Sequence, residues 1–170
     1  MTQTTTKLYS LSYGNARTYL VAALFIAGNI ALPQLFHLAP NGGATWLPIY
    51  FFTLVGAYKY GWRVGLLTAL LSPSLNNALF GMPPAHALTA ITVKSVLLAL
   101  AAGYAAAQHN SVTLTTLALV VLSYQCAGTL CEWALTGSLS LAAQDFRMGV
   151  PGMFLQVLGG YMMIRYVLRK

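Results

Sequence analysis

Long apolar runs alternate with short polar turns along almost the whole chain. A helix that crosses a bilayer needs about 20 mainly apolar residues, or somewhat fewer where it is short or tilted. The runs that approach or reach this length cover residues 18–38, 46–60, 63–80, 85–107, 112–133 and 148–167. The pattern predicts an all-α integral membrane protein: one domain of six transmembrane helices over residues 18–170, after a polar N-terminal tail over residues 1–17.

The composition excludes a soluble protein. Hydrophobic residues make up 58% of the 170 residues, and charged residues make up only 6%. A soluble domain carries about 25% charged residues, because its surface must be hydrated. The apolar runs are therefore interpreted as lipid-facing or buried in a helical bundle, and the chain leaves little room for a second domain.

The basic residues indicate how the chain is oriented in a membrane. The net charge of +7 comes from nine basic and two acidic residues. Only Arg147 lies on one side of the predicted bilayer, whereas seven basic residues lie on the other: Lys7, Arg17, Lys59, Arg63, Arg165, Arg169 and Lys170. Cytoplasmic loops carry an excess of Lys and Arg, so both termini are predicted to be cytoplasmic. Topology accounts for the charge, and binding to nucleic acid is not predicted.

With this orientation, the polar residues of the predicted helices cluster in the outer half of the membrane. Lys94 is the most informative of them, because a charge at that depth costs a few kcal/mol unless it is paired or faces an aqueous cavity. One interpretation is a structural ion pair with Glu132 or Asp145. The other is a cation that lines an outward-opening cavity and meets an anionic group of a ligand, and the two are compatible.

The same depth argument predicts a substrate-binding site at the outer end. Amide side chains offer donors and acceptors to a ligand, and aromatic rings offer stacking surfaces, although Trp46 and Trp133 also fit an aromatic belt at the membrane boundary. The candidate residues are Asn29, Trp46, Asn76, Asn77, Lys94, Gln125, Glu132, Trp133 and Arg147.

Neither a metal site nor a disulfide is predicted. His37 and His86 lie at outer helix ends and His109 at an inner one, so a three-histidine site would require distant ends to meet. Cys126 and Cys131 are five residues apart and point to different faces of a helix. No cofactor is predicted.

The sequence lacks the signatures of an enzyme. It contains no Gly-x-Ser-x-Gly, no His-Glu-x-x-His and no P-loop, so an ATP-driven role would need a partner that supplies the nucleotide site. Two other classes stay open: a membrane scaffold that transports nothing, and a small intramembrane enzyme that uses Glu132 or Asp145.

A stripe of small residues runs along the first predicted helix. Ala23, Ala27 and Ala31 recur every fourth residue and form one narrow ridge. Small side chains let another helix approach closely in lipid. The ridge is interpreted either as packing within this chain or as a docking surface for a partner subunit.

The run ALPQLFHLAPNGGATWLPIYFFTLVGAYKYGWRVGLLTALLSPSLNNALFGMPP, residues 31–84, resembles the substrate-binding membrane subunits (S components) of energy-coupling factor (ECF) transporters. It is similar to the branch that takes up vitamins, and the similarity covers the first four helices. The resemblance implies six helices, cytoplasmic termini, a ligand pocket under the outer loops, and docking through the alanine ridge on a coupling subunit with two ATPases.

One difference from that branch bears on the ligand. Its members often carry an acidic residue on the fourth helix, where this sequence has Lys94. Because the opposite charge in the membrane selects different ligands, we expect a micronutrient with an anionic group, such as pantothenate or a lipoate- or biotin-like acid. The resemblance implies a location in the plasma membrane of a prokaryotic cell.

Overall fold

The structure, a computed structural model, describes residues 7–168. Helices make up 82% of it, and no strand occurs between residues 7 and 168. The predicted all-helical class is therefore confirmed. Arg169 and Lys170, which contribute to the charge bias, and residues 1–6 of the tail lie outside the described residues.

The helices follow the predicted apolar runs closely. The α-helices are α1 (Ala16–Phe36), α2 (Gly42–Trp46), α3 (Phe51–Tyr60), α4 (Trp62–Phe80), α5 (Ala85–His109), α6 (Leu114–Thr136), α7 (Leu139–Ala142), α8 (Gln144–Met148), α9 (Val150–Phe154) and α10 (Gly160–Met162). A 3₁₀ turn, Pro48–Tyr50, precedes α3, and π-helical turns, Leu155–Gly159 and Met163–Val167, follow α9 and α10. Three helices, α1, α5 and α6, are long and apolar enough to cross a membrane.

The prediction of one helix over residues 46–60 is wrong. Leu47 has a φ of 47°, in the left-handed region, and separates α2 from the 3₁₀ turn that begins at Pro48. A residue before proline is disfavoured in the right-handed helical conformation, which explains why the helix breaks there. The ten residues of α3 extend about 15 Å, roughly half the thickness of the hydrocarbon core.

α3 is the buried centre of the bundle, and α1, α4 and α5 pack around it. All residues from Thr53 to Lys59 are buried. Asn29 of α1 joins this centre to α4, because its Nδ2 donates to Thr53 Oγ1 at 3.0 Å and to Ser72 Oγ at 3.3 Å. Its Oδ1 accepts from the backbone nitrogen of Phe52 at 3.1 Å. A buried amide with these partners fixes the relative positions of three helices.

The bundle has two ends, which we name after a buried lysine at each. The Lys94 end is where α1 and α4 end and α5 begins. The Lys59 end is where α3 ends and α4 begins. There the N-terminal segment lies against the bundle, since the backbone nitrogens of Tyr9 and Leu11 donate to the carbonyls of Lys59 and Tyr60 at 2.8 and 3.1 Å.

Candidate functional site

A cavity of about 350 Å³ opens at the Lys94 end. Its walls come from the end of α1, the α2 segment with the 3₁₀ turn, the end of α4, the first turns of α5, and parts of α6 and α8. Apolar side chains and prolines form much of the lining. The polar side chains of the lining are those of His37, Tyr50, Asn76, His86, Lys94, Glu132, Gln144 and Asp145.

Lys94 forms ion pairs with both acidic residues of the chain. Its Nζ lies 2.5 Å from Glu132 Oε2 and 2.7 Å from Asp145 Oδ2. The lysine side chain is 3% exposed, and those of the two acids are 19% and 17% exposed. The sequence had offered Glu132 or Asp145 as the partner, and the structure has both. We name these three residues the ion triad.

Local sequence explains how the ion triad is assembled. Gly128 of α6 faces Lys94, and a Cβ added there would lie 2.5 Å from Lys94 Cγ, so the glycine makes room for the lysine stem. Glu132 follows Gly128 by four residues and therefore lies on the same face of α6. Asp145 comes from α8, whose last turn closes where the backbone nitrogen of Gly149 donates to the Asp145 carbonyl at 2.8 Å.

Asn76 lines the cavity and is held in place by α1. It is 1% exposed. Its Nδ2 donates to the Asn29 carbonyl at 2.8 Å and to the Ser72 carbonyl at 3.2 Å, and its Oδ1 accepts from Gln34 Nε2 at 3.4 Å. These bonds occupy both amide hydrogens, so the oxygen is the atom that Asn76 can still offer to a ligand.

Two predicted site residues have structural roles beside the cavity instead. Asn29 holds α1 against α3 and α4, as described above. Asn77 donates from Nδ2 to the Pro83 carbonyl at 2.7 Å and so fixes the turn between α4 and α5. That turn contains a cis peptide bond between Met82 and Pro83, and Met82, Pro83 and Pro84 form part of the cavity wall.

The remaining predicted site residues do not line the cavity. Gln125 is fully buried, and its amide has no hydrogen-bond partner within residues 7–168. Trp46 is 37% exposed and stacks on Phe36 with ring centroids 5.5 Å apart. Trp133 and Arg147 are exposed. Of the nine predicted site residues, Asn76, Lys94 and Glu132 line the cavity, Asn29 and Asn77 lie beside it, and the other four do not line it.

Several lining residues were absent from the predicted site. Tyr50 is 2% exposed and packs against Tyr124 with ring centroids 5.5 Å apart. Asp145 could have been included, because a buried lysine requires a counter-charge and the chain has only two acids. His37 and His86 gave no signal beyond their position at helix ends. Among the residues with described positions, no cluster suited to a metal ion occurs.

The alanine ridge faces outward. Ala23, Ala27 and Ala31 are all exposed, and the neighbouring Leu20 and Leu24 are 72% and 68% exposed. The helices described between residues 7 and 168 therefore leave the ridge uncovered, and docking on a partner subunit stays a prediction. An exposed stripe of small residues leaves room for a helix of another protein or for lipid.

No protein-family model matches the sequence, and no curated protein and no solved structure matches it either. Inferences about function therefore depend on the geometry of this structure alone. This geometry comprises an apolar bundle, a cavity at one end, and an ion triad at the wall of that cavity. In general, small-molecule sites are concave and mostly apolar, with a few polar groups that orient the ligand.

Proposed function

We propose that this chain is the substrate-binding subunit of an ECF-type ABC importer. It is a multi-pass protein of the prokaryotic plasma membrane that captures a vitamin or related micronutrient from outside. It delivers this ligand by docking on a coupling transmembrane subunit with two ATPases. The chain itself is not an enzyme, because ATP hydrolysis belongs to the partners.

The observation that carries this proposal is the cavity at the Lys94 end. Its volume of about 350 Å³ falls in the range of roughly 300–1,000 Å³ that small-molecule sites occupy. Both acids of the chain and one of its nine basic residues meet at this cavity. A charged cluster among helices this apolar is costly, and such clusters are associated with ligand or ion sites.

The orientation of the bundle supports uptake from outside. Lys7, Arg17, Lys59 and Arg63 belong to the Lys59 end, which the positive-inside rule assigns to the cytoplasm. The Lys94 end, with the cavity, then faces outward. The α1–α2 connection forms part of the cavity wall, through His37 and Gly43, and is placed to close over a ligand.

The exposed alanine ridge supports a partner subunit. In lipid, association of helices depends on close packing, and small residues allow the backbones to approach. Ala23, Ala27 and Ala31 are the positions at which this contact is proposed. A bulky side chain at Ala27 would separate the two helices without touching the cavity.

The test is to co-express the tagged chain with an ECF coupling subunit and its two ATPases and to measure how much ATPase is recovered. We expect Ala27→Phe to lower the recovery about tenfold, which corresponds to about 1.4 kcal/mol of lost contact. Ala107→Phe is the matched control, because Ala107 is also an exposed alanine but lies on α5. Mass spectrometry of co-purified small molecules reports ligand capture by each variant.

Three results would count against parts of the proposal. If the unaltered chain recovers no ATPase, the importer assignment fails. If Ala27→Phe and Ala107→Phe recover as much as the unaltered chain, only the docking surface is wrong. If Ala27→Phe loses its small molecule but keeps its partners, the ridge contributes to ligand binding and not to docking, which contradicts the proposal.

A further inference from the structure

The ion triad carries a net negative charge. One ammonium group meets two carboxylates, and these are the only acidic residues in the chain. Lys94 is also the only lysine among the residues described at the cavity wall, and no arginine occurs there. The expectation of an anionic ligand assumed that the Lys94 ammonium was free to bind the anionic group. In the structure the two carboxylates neutralise this ammonium and leave one negative charge in excess.

The carboxylates, and not the lysine, are the surface that a ligand meets. The Lys94 side chain is 3% exposed, against 19% for Glu132 and 17% for Asp145. Lys94 contacts one oxygen of each acid, Oε2 of Glu132 and Oδ2 of Asp145. An ionised carboxylate has about four acceptor sites. Each acid therefore retains acceptor capacity that Lys94 does not use.

Tyr50 provides a second, independent feature of the same wall. It is 2% exposed and lines the cavity, and its hydroxyl makes no hydrogen bond to any residue from 7 to 168. A hydroxyl at a cavity wall without a protein partner can donate a hydrogen bond to a polar group of a ligand or accept one from it.

We propose that the cavity binds a ligand through a cationic nitrogen group, such as an ammonium or amidinium, held by the carboxylates of Glu132 and Asp145 beside Tyr50. Lys94 then has a positioning role, since it holds the two acids together. An anion would have to approach two carboxylates, and juxtaposed like charges disfavour binding. This inference rests on the proposed function only in that the cavity takes a small molecule.

An isosteric charge series tests the inference. Benzamidine, benzamide and benzoate have nearly the same size and carry charges of about +1, 0 and −1 at neutral pH. The readout is the thermal unfolding midpoint of the purified full chain in lipid nanodiscs, titrated with each compound. We expect stabilisation in the order benzamidine, benzamide, benzoate, with apparent affinity for benzamidine about tenfold or more above that for benzoate.

Variants of the cavity wall test whether the carboxylates cause the preference for benzamidine over benzoate. Glu132→Gln and Asp145→Asn each remove one negative charge and should reduce the preference for benzamidine about tenfold. Gln144→Glu adds a carboxylate to the cavity wall and should increase it, which keeps the test valid if the first two variants fold poorly. Arg63→Gln changes a charge at the Lys59 end and should leave the preference unchanged.

The inference is overturned if benzoate stabilises the chain as much as benzamidine does, or if none of the three compounds shifts the midpoint. It is also overturned if Glu132→Gln and Asp145→Asn keep the full preference for benzamidine, or if Gln144→Glu does not increase it. The importer proposal is tested independently of this inference, because its test is the recovery of the ATPases. A chain that assembles with them yet prefers benzoate contradicts the charge assignment alone.

Discussion

The two ends of the bundle each bury a lysine, and they compensate its charge in different ways. Lys94 is 2% exposed and forms ion pairs with Glu132 and Asp145. Lys59 is 0% exposed, and its Nζ donates to the backbone carbonyl of Lys7 at 2.5 Å. Its Nζ also lies 5.3 Å from the centre of the Tyr9 ring. No acidic side chain contacts it among residues 7–168.

The difference separates an end with a cavity from a closed end. At the Lys59 end, the N-terminal segment supplies a carbonyl and a π face, and Tyr9 stacks on Tyr60 with centroids 5.6 Å apart. These neutral partners cover the lysine. At the Lys94 end, charged partners come from α6 and α8 and border a cavity. The charged groups at the Lys94 end therefore line a cavity, whereas the N-terminal segment covers the lysine at the Lys59 end.

The largest expected effect follows from removal of the lysine at the Lys94 end. Lys94→Met leaves two partly buried carboxylates close together without a cation. Breaking a buried ion pair from one side costs roughly 3–5 kcal/mol, and we expect a loss of about 3 kcal/mol in the free energy of unfolding. The measurement is thermal or denaturant unfolding of the purified chain in one fixed lipid or detergent.

The matched control removes the stranded charges as well. The triple variant Lys94→Met, Glu132→Gln, Asp145→Asn leaves no net charge in the cluster, so it should recover most of the lost stability. If the triple variant is as unstable as Lys94→Met, packing of the lysine stem and not charge pairing holds this end together.

A smaller effect is expected where the lysine stem passes α6. Gly128→Ala would place a Cβ 2.5 Å from Lys94 Cγ and displace the stem from its two acids. Overpacking in a filled interior costs roughly 1–3 kcal/mol, and we expect about 2 kcal/mol in the same unfolding measurement.

Gly14→Ala is the control for that variant, because a Cβ at Gly14 meets no atom within 4 Å. It should change the unfolding midpoint very little. An unchanged midpoint in Gly128→Ala would mean that the lysine stem moves aside freely and that the ion triad is not tightly positioned.

The smallest effect is expected at the closed end. Lys59→Met removes one charge without leaving another unpaired, and it loses one hydrogen bond to a backbone carbonyl and the contact with the Tyr9 ring. A hydrogen bond to a charged group contributes about 1.5–3 kcal/mol. Removal of the buried ammonium also removes its desolvation penalty, so the net loss in an unfolding experiment should be about 1 kcal/mol. A loss equal to that of Lys94→Met would show that the two ends compensate their lysines equally well.

The sequence predicted the helices well because run length and turn residues determine them. It failed at residues 46–60, where an apolar run of nearly sufficient length hides the break at Leu47 and Pro48. Pro48 was a visible signal, since the residue before a proline avoids the helical conformation. That each of the six predicted runs crosses a membrane stays a prediction, supported by length and composition for α1, α5 and α6.

The candidate site was only partly predictable, because depth in a membrane gives the height of a residue along a helix but not its direction. Gln125, Trp133 and Glu132 were all predicted to lie in the outer half of one helix, yet only Glu132 lines the cavity. In a soluble helix the polar face reveals the direction. Here lipid and the bundle interior are both apolar, so that periodic signal is lost. Charge pairing was the stronger signal: it offered Glu132 or Asp145 as the partner of Lys94, and the structure pairs Lys94 with both.

The ion triad has a consequence for biogenesis. Asp145 follows Lys94 by 51 residues in the sequence. If the helices enter the bilayer in the order of synthesis, the translocon handles α5 while the lysine still lacks its acids, at a stage when a lone charge disfavours insertion by a few kcal/mol. We therefore expect α5 to be retained at the translocon until α6 arrives, so that the two are released into lipid as a hairpin.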